Sequence, residues 1–422
     1  MTKLKQSLCI LILVYSLFSM PDYYVLNGLG ETLSMGAWLE SPENDIITTG
    51  SMPNQIVADE SGNVWVVASG NATLQRFRPD DGDFILEEEY FLPTGSNPYM
   101  MSIHDGKCYV SLWVTGNFAI VDIETGDIEV FEPELLGAQG IFADDDYIYV
   151  TASNFDPETF IYGDGQIHRF GHDGNPEGTL TIGTNPQEIV KIDGNLHIAC
   201  TGNYTDISGS IYIVDTESFD VLDSVIIGGS PSRLSYDPYY GFCYSATSVW
   251  GAYGSGRLLA YNASTFEPIW TASDDENTLS GTGLVGLDSY EGYIYISSMD
   301  SSTVEIVNHT PETASLEEVA IYPTGYGTQD IAISEISEDI EEETEHGHAI
   351  KANIYPNPFR RECRFHGLED AQIEIYHVDG RLIEILSNKQ VWHPKPSIES
   401  GVYLARIKTH GNAFIERLIY LK

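Results

Sequence analysis

Eight polar residues stand near the start of apolar segments that recur along the first 335 residues of this chain. They are Gln55, Tyr99, Gln139, Gln187, Glu188, Arg233, Gln329 and Asp330. Their amides, carboxylates and guanidinium could bind a small polar ligand or a cation, with the guanidinium opposite an anionic group. The alternative is a hydrated pore, lined by whatever residues the turns require.

The elements that would position these residues form a repeat of about 40 to 50 residues, the period expected of propeller blades. Each unit opens with a proline or a similar turn and an apolar strand, as in residues 53–56 and 98–101. A second strand, such as residues 146–150, is rich in aromatic and β-branched side chains. A third strand, such as residues 212–215, leads through a hairpin turn to a fourth. The side chains after each opening turn are therefore expected at the mouth of a central channel.

The two ends of the repeat region complement each other. Six full units are followed by a lone first strand near residues 331–333. The strands that this last unit lacks occur near the N-terminus, at residues 23–27, 33–38 and 45–49. Pairing the two ends would close the ring and remove exposed sheet edges. We predict an all-β fold, with a seven-bladed β-propeller over residues 22–335.

The repeat resembles the secreted YVTN-type, or YncE-like, propellers. The residues that carry the resemblance are the glycine and proline of residues 95–98, the Tyr-Val pair of residues 109–110 and the Val-Asp-x-x-Thr-Gly turn of residues 121–126. The resemblance implies the propeller fold over about residues 23–335. It implies no single activity, because this architecture hosts hydrolases, lyases, dehydrogenases and plain binding modules.

The N-terminus is typical of a secretory signal peptide. Lys3 and Lys5 precede an apolar run, residues 8–20, that is too short to span a bilayer comfortably. We predict a signal peptide over residues 1–21 and no integral membrane span in the mature protein. An uncleaved membrane anchor is the alternative.

The charge of the chain is strongly negative and unevenly distributed. The formal net charge of -43 comes from 63 acidic and 20 basic residues, and such a balance repels nucleic acid and anionic membranes. Residues 351–422 hold 11 of the basic and 8 of the acidic residues, which indicates a domain boundary. The acidic surface could keep an exported protein soluble or collect ions. No cofactor is predicted, and Ca²⁺ or another divalent ion is the open alternative.

A linker and a small domain complete the chain. Residues 336–351 begin with a block of like charge that repels itself, which predicts an extended acidic linker. Residues 352–422 contain four segments in which apolar and charged residues alternate, at 372–376, 382–386, 402–407 and 414–420. This pattern predicts a small antiparallel, Ig-like β-sandwich.

The same C-terminal segment resembles the sorting domain of the type IX (Por) secretion system. The matching motifs are residues 354–359, 375–381, 400–404 and 417–422. The resemblance implies contact with the type IX machinery, passage across an outer membrane, and release or attachment at the cell surface. A generic immunoglobulin-like accessory domain is the alternative.

The sequence favours binding over catalysis. It contains no Gly-x-Ser-x-Gly elbow, no Walker loop and no His-Glu-x-x-His motif. The leading hypothesis is a secreted or cell-surface, non-catalytic module that binds a surface protein, a glycan or a small polar ligand. The alternative is a metal-dependent, lactonase-like hydrolase or lyase at the channel mouth, which would use Glu188 and Asp330. A third reading makes the propeller a rigid spacer.

Overall fold

The computed structural model describes two separate parts of the chain. They are residues 21–334 except 81–82, 250 and 311–314, and residues 353–355, 361–366, 372–377, 381–386, 391–395, 398, 401–408 and 413–420. Residues 1–20 of the predicted signal peptide, the predicted linker and parts of the sorting motifs lie outside these ranges. The chain divides into two compact units, residues 20–337 and residues 338–422. Within the described ranges the regular elements are all β-strands.

The larger unit begins with three strands and continues with sheets whose strands pair in chain order. The first strands are β1 (Asp22–Asn27), β2 (Thr32–Gly36) and β3 (Glu43–Thr48). Sheet 2 contains β4 (Pro53–Ala58), β5 (Val64–Ala68), β6 (Thr73–Asp80) and β7 (Asp83–Phe91). Sheet 3 contains β8 (Pro98–His104), β9 (Lys107–Leu112), β10 (Asn117–Asp122) and β11 (Ile128–Phe131).

Sheets 4 and 5 follow the same antiparallel order. Sheet 4 contains β12 (Ala138–Ala143) and β13 (Ile148–Ala152), then a separate hairpin of β14 (Phe155–Asp156) and β15 (Ile161–Tyr162), then β16 (Gln166–Phe170) and β17 (Pro176–Thr181). Sheet 5 contains β18 (Pro186–Ile192), β19 (Asn195–Cys200), β20 (Ser210–Asp215) and β21 (Val221–Ile226). The β14–β15 hairpin is thus an insertion between the second and third strands of its sheet.

Two further sheets and a last strand complete this unit. Sheet 6 contains β22 (Ser235–Asp237), β23 (Phe242–Thr247), β24 (Gly256–Asn262), β25 (Pro268–Trp270) and the short β26 (Thr278–Leu279), which also pairs with β24. Sheet 7 contains β27 (Leu284–Tyr290), β28 (Tyr293–Ser298), β29 (Thr303–Thr310) and β30 (Ser315–Pro323). Strand β31 (Thr328–Ser334) pairs with β1, with Tyr24 opposite Ala332. Sheet 1 therefore has the order β31, β1, β2, β3.

Two-residue turns join the first and second strands of several sheets. Asp105 and Gly106 have φ angles of 44° and 69°, and Asp193 and Gly194 have φ angles of 48° and 86°. Two positive φ values in succession define the type I′ turn, whose twist matches that of the flanking strands. Asp and Gly tolerate this conformation best, which is why these dipeptides set the strand register.

The core lies at the second strand of each sheet. Strands β5 and β13 are buried at every residue. The corresponding strands β1, β9, β19, β23 and β28 are buried at every residue after the first. The fourth strands, such as β3, β11, β17 and β21, are mostly exposed or half-buried. Burial on both faces explains the nearly continuous apolar sequence of the second strands.

Among the described residues of the larger unit, seven hydrophobic clusters each join two sheets: six join sheets consecutive in this numbering, and one joins sheet 7 to sheet 1. For example, Trp65 of sheet 2 shares a cluster with Val110 of sheet 3, and Val25 of sheet 1 shares one with Tyr295 of sheet 7. The other five clusters join sheets 1 and 2, 3 and 4, 4 and 5, 5 and 6, and 6 and 7. Each sheet therefore buries both of its faces against neighbouring sheets.

The smaller unit has two antiparallel sheets. Its strands are β32 (Asn353–Tyr355), β33 (Cys363–His366), β34 (Gln372–His377), β35 (Leu382–Leu386), β36 (Val391–Trp392), β37 (Gly401–Lys408) and β38 (Ala413–Tyr420). One sheet has the order β32, β33, β36, and the other has the order β35, β34, β37, β38. A single cluster contains Phe365 and Trp392 from the first sheet and Ile375 and Leu418 from the second. The two sheets therefore share one hydrophobic core.

Candidate functional site

The start of each first strand and the loop between the second and third strands lie at the same end of their sheet. This follows from antiparallel order, because each strand reverses the direction of the one before it. The eight polar residues predicted to form the channel mouth lie at or near these starts. They can therefore meet side chains of the loops that join second and third strands.

A cavity of about 220 Å³ lies at this end of sheets 2 to 5. Its aromatic lining residues are Tyr99, Trp113, Tyr162 and Tyr204. Its amide lining residues are Asn54, Asn97, Gln139 and Gln187, and Met52 and Ser69 complete the lining. None of these ten side chains carries a charge, although the chain as a whole has a formal charge of -43. The cavity suits an uncharged ligand with both flat apolar and hydrogen-bonding surfaces.

Three polar groups of the lining lack a hydrogen-bond partner among the described residues. They are the amide oxygens of Asn97 and Gln139 and the indole N–H of Trp113. Gln139 is only 5 % exposed, and an unsatisfied buried polar group costs about 1–3 kcal/mol. These three atoms are shielded from solvent, so a ligand would recover this free energy only where the side chains turn towards it.

Close contact between sheets 4 and 5 positions Gln139 and Gln187. A Cβ atom built on Gly140 would lie 1.9 Å from the carbonyl oxygen of Gln187, so only glycine fits there. The Thr151 hydroxyl accepts a hydrogen bond from the Gly140 N–H (2.7 Å) and donates one to the Gln187 carbonyl (3.2 Å). The side-chain amide of Gln187 donates to Asn185 Oδ1 (3.0 Å) and accepts from the Tyr99 hydroxyl (3.4 Å). The backbones beside Gln139 and Gln187 are thus held close together, and two side chains hold the amide of Gln187.

Other residues of the predicted site connect one sheet to the next. A side chain on the first strand of one sheet accepts a hydrogen bond from a backbone N–H at or beside the first strand of the following sheet. These inter-sheet clasps run from Met101 N–H to Gln55 Oε1 (2.6 Å), from Leu234 N–H to Glu188 Oε2 (2.6 Å), from Ile56 N–H to Asp330 Oδ2 (3.3 Å) and from Ile333 N–H to Asp288 Oδ2 (2.9 Å). Hydrogen bonds to buried carboxylates typically contribute about 1.5–3 kcal/mol.

Arg233 is the cation among these clasps. Its Nη2 donates to the Asn54 carbonyl (2.9 Å) and lies 3.5 Å from Asp330 Oδ2. Arg233 is 6 % exposed and Asp330 is 3 % exposed. The Gln55 amide donates to Glu188 Oε1 (3.5 Å), which brings that second carboxylate into the same network.

The buried carboxyls have raised pKa values. Burial, with the charges of Asp330 and Asp288, raises the pKa of Glu188 to about 7, although Arg233 and the Leu234 N–H act in the opposite direction. Burial likewise raises the pKa of Asp288 to about 6 and the pKa of Asp330 above its usual range. Protonated and ionised forms of this network therefore exchange near neutral pH.

The raised pKa of Glu188 predicts a pH-dependent stability. The folded state binds this proton more tightly than the unfolded state, so the stabilisation is complete below the ordinary pKa and is lost as the pH rises through 7. As the pH rises from 5 to 8, the free energy of unfolding of Glu188→Gln should increase by about 2–3 kcal/mol relative to that of the wild type. Urea unfolding at both pH values measures the difference.

A histidine variant provides the control for this experiment. Burial lowers the pKa of His309 to about 4, so its contribution has the opposite sign and is lost as the pH falls from about 6.5 towards 4. The free energy of unfolding of His309→Phe should therefore rise relative to that of the wild type as the pH falls. A Glu188→Gln variant whose stability stayed parallel to that of the wild type would contradict the assignment.

The structure separates the eight predicted site residues into groups. Tyr99, Gln139 and Gln187 line the cavity. The inter-sheet clasps and their cation contain Gln55, Glu188, Arg233 and Asp330. Gln329 does not belong to the lining of this cavity, and its carbonyl accepts a hydrogen bond from the Ser297 hydroxyl (3.2 Å). A role of these residues in ligand binding stays a prediction.

Three aromatic residues of the cavity were not predicted. Trp113, Tyr162 and Tyr204 all lie in connections between second and third strands. Two of these connections, residues 153–165 and 201–209, are longer than the corresponding residues 69–72 of sheet 2. A repeat alignment that compared these loop lengths would have found insertions rich in aromatic residues.

In the described part of the chain, no three His, Cys, Asp or Glu side chains are placed to hold a metal ion together. No helix of those residues has the length and apolar character needed to cross a membrane.

The successive antiparallel sheets of four or five strands define a propeller-like protein. The chain is similar in structure to a putative 6-phosphogluconolactonase from Bacteroides fragilis, with a TM-score of 0.59 and 12 % identity over 75 % of this chain and 98 % of that chain. A putative 6-phosphogluconolactonase from Bacteroides uniformis is similar with a TM-score of 0.57 and 12 % identity over 75 % of this chain and 100 % of that chain. The RRP9 WD40 repeats are similar with a TM-score of 0.51 and 9 % identity over 67 % of this chain and 84 % of that chain. The prediction of an all-β, propeller-like fold is confirmed.

The C-terminal segment matches a known family. Residues 353–421 match the secretion system C-terminal sorting domain, which confirms the resemblance found in the sequence. A domain of this kind implies interaction with the type IX secretion system, export, and an extracellular or outer-surface location. Curated protein sequences gave no match to the chain.

Proposed function

We propose that this chain is an exported, non-catalytic binding protein whose larger unit is a closed seven-bladed β-propeller over residues 22–335. Seven sheets, seven shared hydrophobic clusters and the pairing of β31 with β1 support this architecture. The proposal also includes the signal peptide over residues 1–21, the acidic linker over residues 336–351, the β-sandwich over residues 352–422 and kinship with the YVTN-type propellers.

The proposed binding site is the cavity at the channel mouth, and its ligand is a small, polar and uncharged molecule or group. The observation that carries this proposal is the lining of four aromatic and four amide side chains without any charged residue. An anionic ligand would need cationic partners, and Arg233 already bonds to Asn54 and faces Asp330. A cationic ligand would need carboxylates, which the lining also lacks.

A metal-dependent hydrolase or lyase at the channel mouth is the second candidate. The pKa of Glu188, about 7, is favourable for a general acid or base, and two structural neighbours are named as putative 6-phosphogluconolactonases. Their 12 % identity supports a shared fold only. The Glu188 and Asp330 carboxylates accept backbone N–H groups, so a divalent ion would have to compete with these bonds.

Binding of uncharged ligands to the full chain tests the proposal. Isothermal titration with glucose, neutral polyols and nucleosides, and with glucose 6-phosphate and gluconate, should give saturable binding for uncharged compounds only. Gln139→Leu should weaken that binding at least about tenfold, because it removes an amide in a buried site.

The matched control for this experiment is Gln329→Leu, the same substitution at a predicted mouth residue outside the cavity. It should leave the affinity unchanged, and an equal loss in both variants would place the site elsewhere. Turnover of lactones or sugar esters above about 1 s⁻¹, lost in Glu188→Gln and on chelation, would favour the hydrolase instead.

A further inference from the structure

A row of aromatic side chains extends from the cavity onto the exposed surface. The ring centroids of Phe155 lie 6.2 Å from Trp113, 4.8 Å from Tyr162 and 6.2 Å from Phe160. Tyr162 lies 6.2 Å from Tyr204. Phe160 and Tyr204, at the outer end of this aromatic row, are 77 % and 60 % exposed.

The turn that contains Phe160 also occurs at two other phenylalanines, and it does not by itself expose the ring. The backbone N–H groups of Phe160, Phe219 and Phe266 each donate to the carbonyl four residues earlier, and all three residues have φ near +55°. Phe219 is buried in a core cluster and Phe266 packs against another. The same turn therefore can bury its ring, and in the β14–β15 hairpin it presents the ring to solvent beside the cavity instead.

The polar side chains of the lining restrict the chemistry of the ligand. The amides of Asn97 and Gln139 and the indole of Trp113 belong to the lining, so it offers both hydrogen-bond donors and acceptors. A hydroxyl group can both donate and accept, and several hydroxyls close together can bond to several of these side chains. A proline-rich peptide, the other ligand that aromatic grooves commonly take, offers carbonyl acceptors but few donors.

The size of the cavity restricts how much of the ligand it can hold. At about 220 Å³ it is smaller than the roughly 300–1,000 Å³ of pockets that enclose drug-sized ligands. It can enclose one small unit, and a longer ligand must continue across the exposed rings. The negative faces of aromatic rings attract weakly positive C–H groups, such as those on the flat face of a sugar.

We propose that the cavity and the aromatic row together bind a neutral oligosaccharide, with one sugar residue inside the cavity and the next residues stacked on Phe160 and Tyr204. This inference rests on the proposed function and specifies its ligand class. It assigns the sugar hydroxyls to Asn97, Gln139 and Trp113.

Titration of the full chain with neutral oligosaccharides of one to six residues, built from glucose, mannose, galactose or xylose, tests the inference. In at least one series, affinity should rise about tenfold or more from one residue to three, because each stacked ring contributes about 0.5–1.5 kcal/mol. The variant Phe160→Ser removes an exposed ring that does not line the cavity, so it should keep the affinity for one residue and lose most of the gain with length. Phe91→Ser, which removes a ring 70 % exposed on β7, is the matched control and should change neither.

The possible failures are distinguishable. Affinity independent of length, or saturable binding of a neutral nucleoside or a proline-rich peptide without any oligosaccharide, would overturn the inference and leave the proposed function in place. No binding by any uncharged probe would overturn both.

Discussion

Arg233→Met is expected to lower the free energy of unfolding by about 3–5 kcal/mol at pH 8, the usual effect of removing one partner from a buried charge network. The guanidinium is the cation that faces both Asp330 and Glu188. Without it, these buried carboxyls must stay ionised without compensation or take up protons at a cost in free energy. At pH 5 the Glu188 carboxyl, whose pKa is about 7, is largely protonated, so the loss should be smaller there. Urea unfolding at both pH values measures it.

The matched control for this prediction is Arg78→Met. Arg78 pairs with Glu87 at 2.9 Å, but its side chain is 36 % exposed, and exposed ion pairs typically contribute about 0–1 kcal/mol. Adding Glu188→Gln to Arg233→Met should recover part of the loss, because it removes one uncompensated carboxylate. A loss equal in the two arginine variants, or equal at both pH values, would contradict the proposed charge network.

Val25→Asp is expected to cost more than about 4 kcal/mol and to abolish cooperative unfolding of the larger unit. Val25 is fully buried in β1, in the cluster that joins sheet 1 to sheet 7. Its strand also pairs with both β31 and β2. A carboxylate placed there would have no partner and would separate sheet 7 from sheet 1, the sheet in which the two ends of the repeat region pair.

Val221→Asp is the control for this second prediction, since it makes the same chemical change at a residue 40 % exposed on β21. It should change the free energy of unfolding by no more than about 0.5 kcal/mol. Thermal and urea unfolding of both variants measures the contrast. A mild effect of Val25→Asp would mean that the N-terminal strand contributes little, and the proposal of a closed seven-bladed ring would fail.

Much of the fold could be predicted because its signals are local. The Asp-Gly turn at residues 105–106 and the apolar run of β9 each depend on residues adjacent in the chain. The sorting domain could be identified because its motifs occur in a fixed order along the sequence. The pairing of β31 with β1 joins the two ends of the repeat region, and only the count of strands per unit pointed to it.

The candidate site was harder to predict because it combines residues from four sheets. Gln187 and Glu188 are neighbours in the sequence and both were predicted at the channel mouth. The register of β18 shifts between Pro186 and Ile189, and there Gln187 lines the cavity while Glu188 accepts the Leu234 N–H of the next sheet. Trp113 and Tyr204 come from loops whose conformation the repeat pattern does not specify.

The sequence by itself determined the all-β class, the repeated sheets, the acidic character of the larger unit and the sorting domain at the C-terminus. Each of these follows from composition, or from patterns of neighbouring residues, that hold whatever the sheets contact. Only the tertiary structure decided which polar side chains clasp adjacent sheets and which ones line a cavity. That difference depends on where the next sheet places its backbone N–H groups, because a polar side chain that reaches such a donor becomes structural and one that does not remains able to meet a ligand.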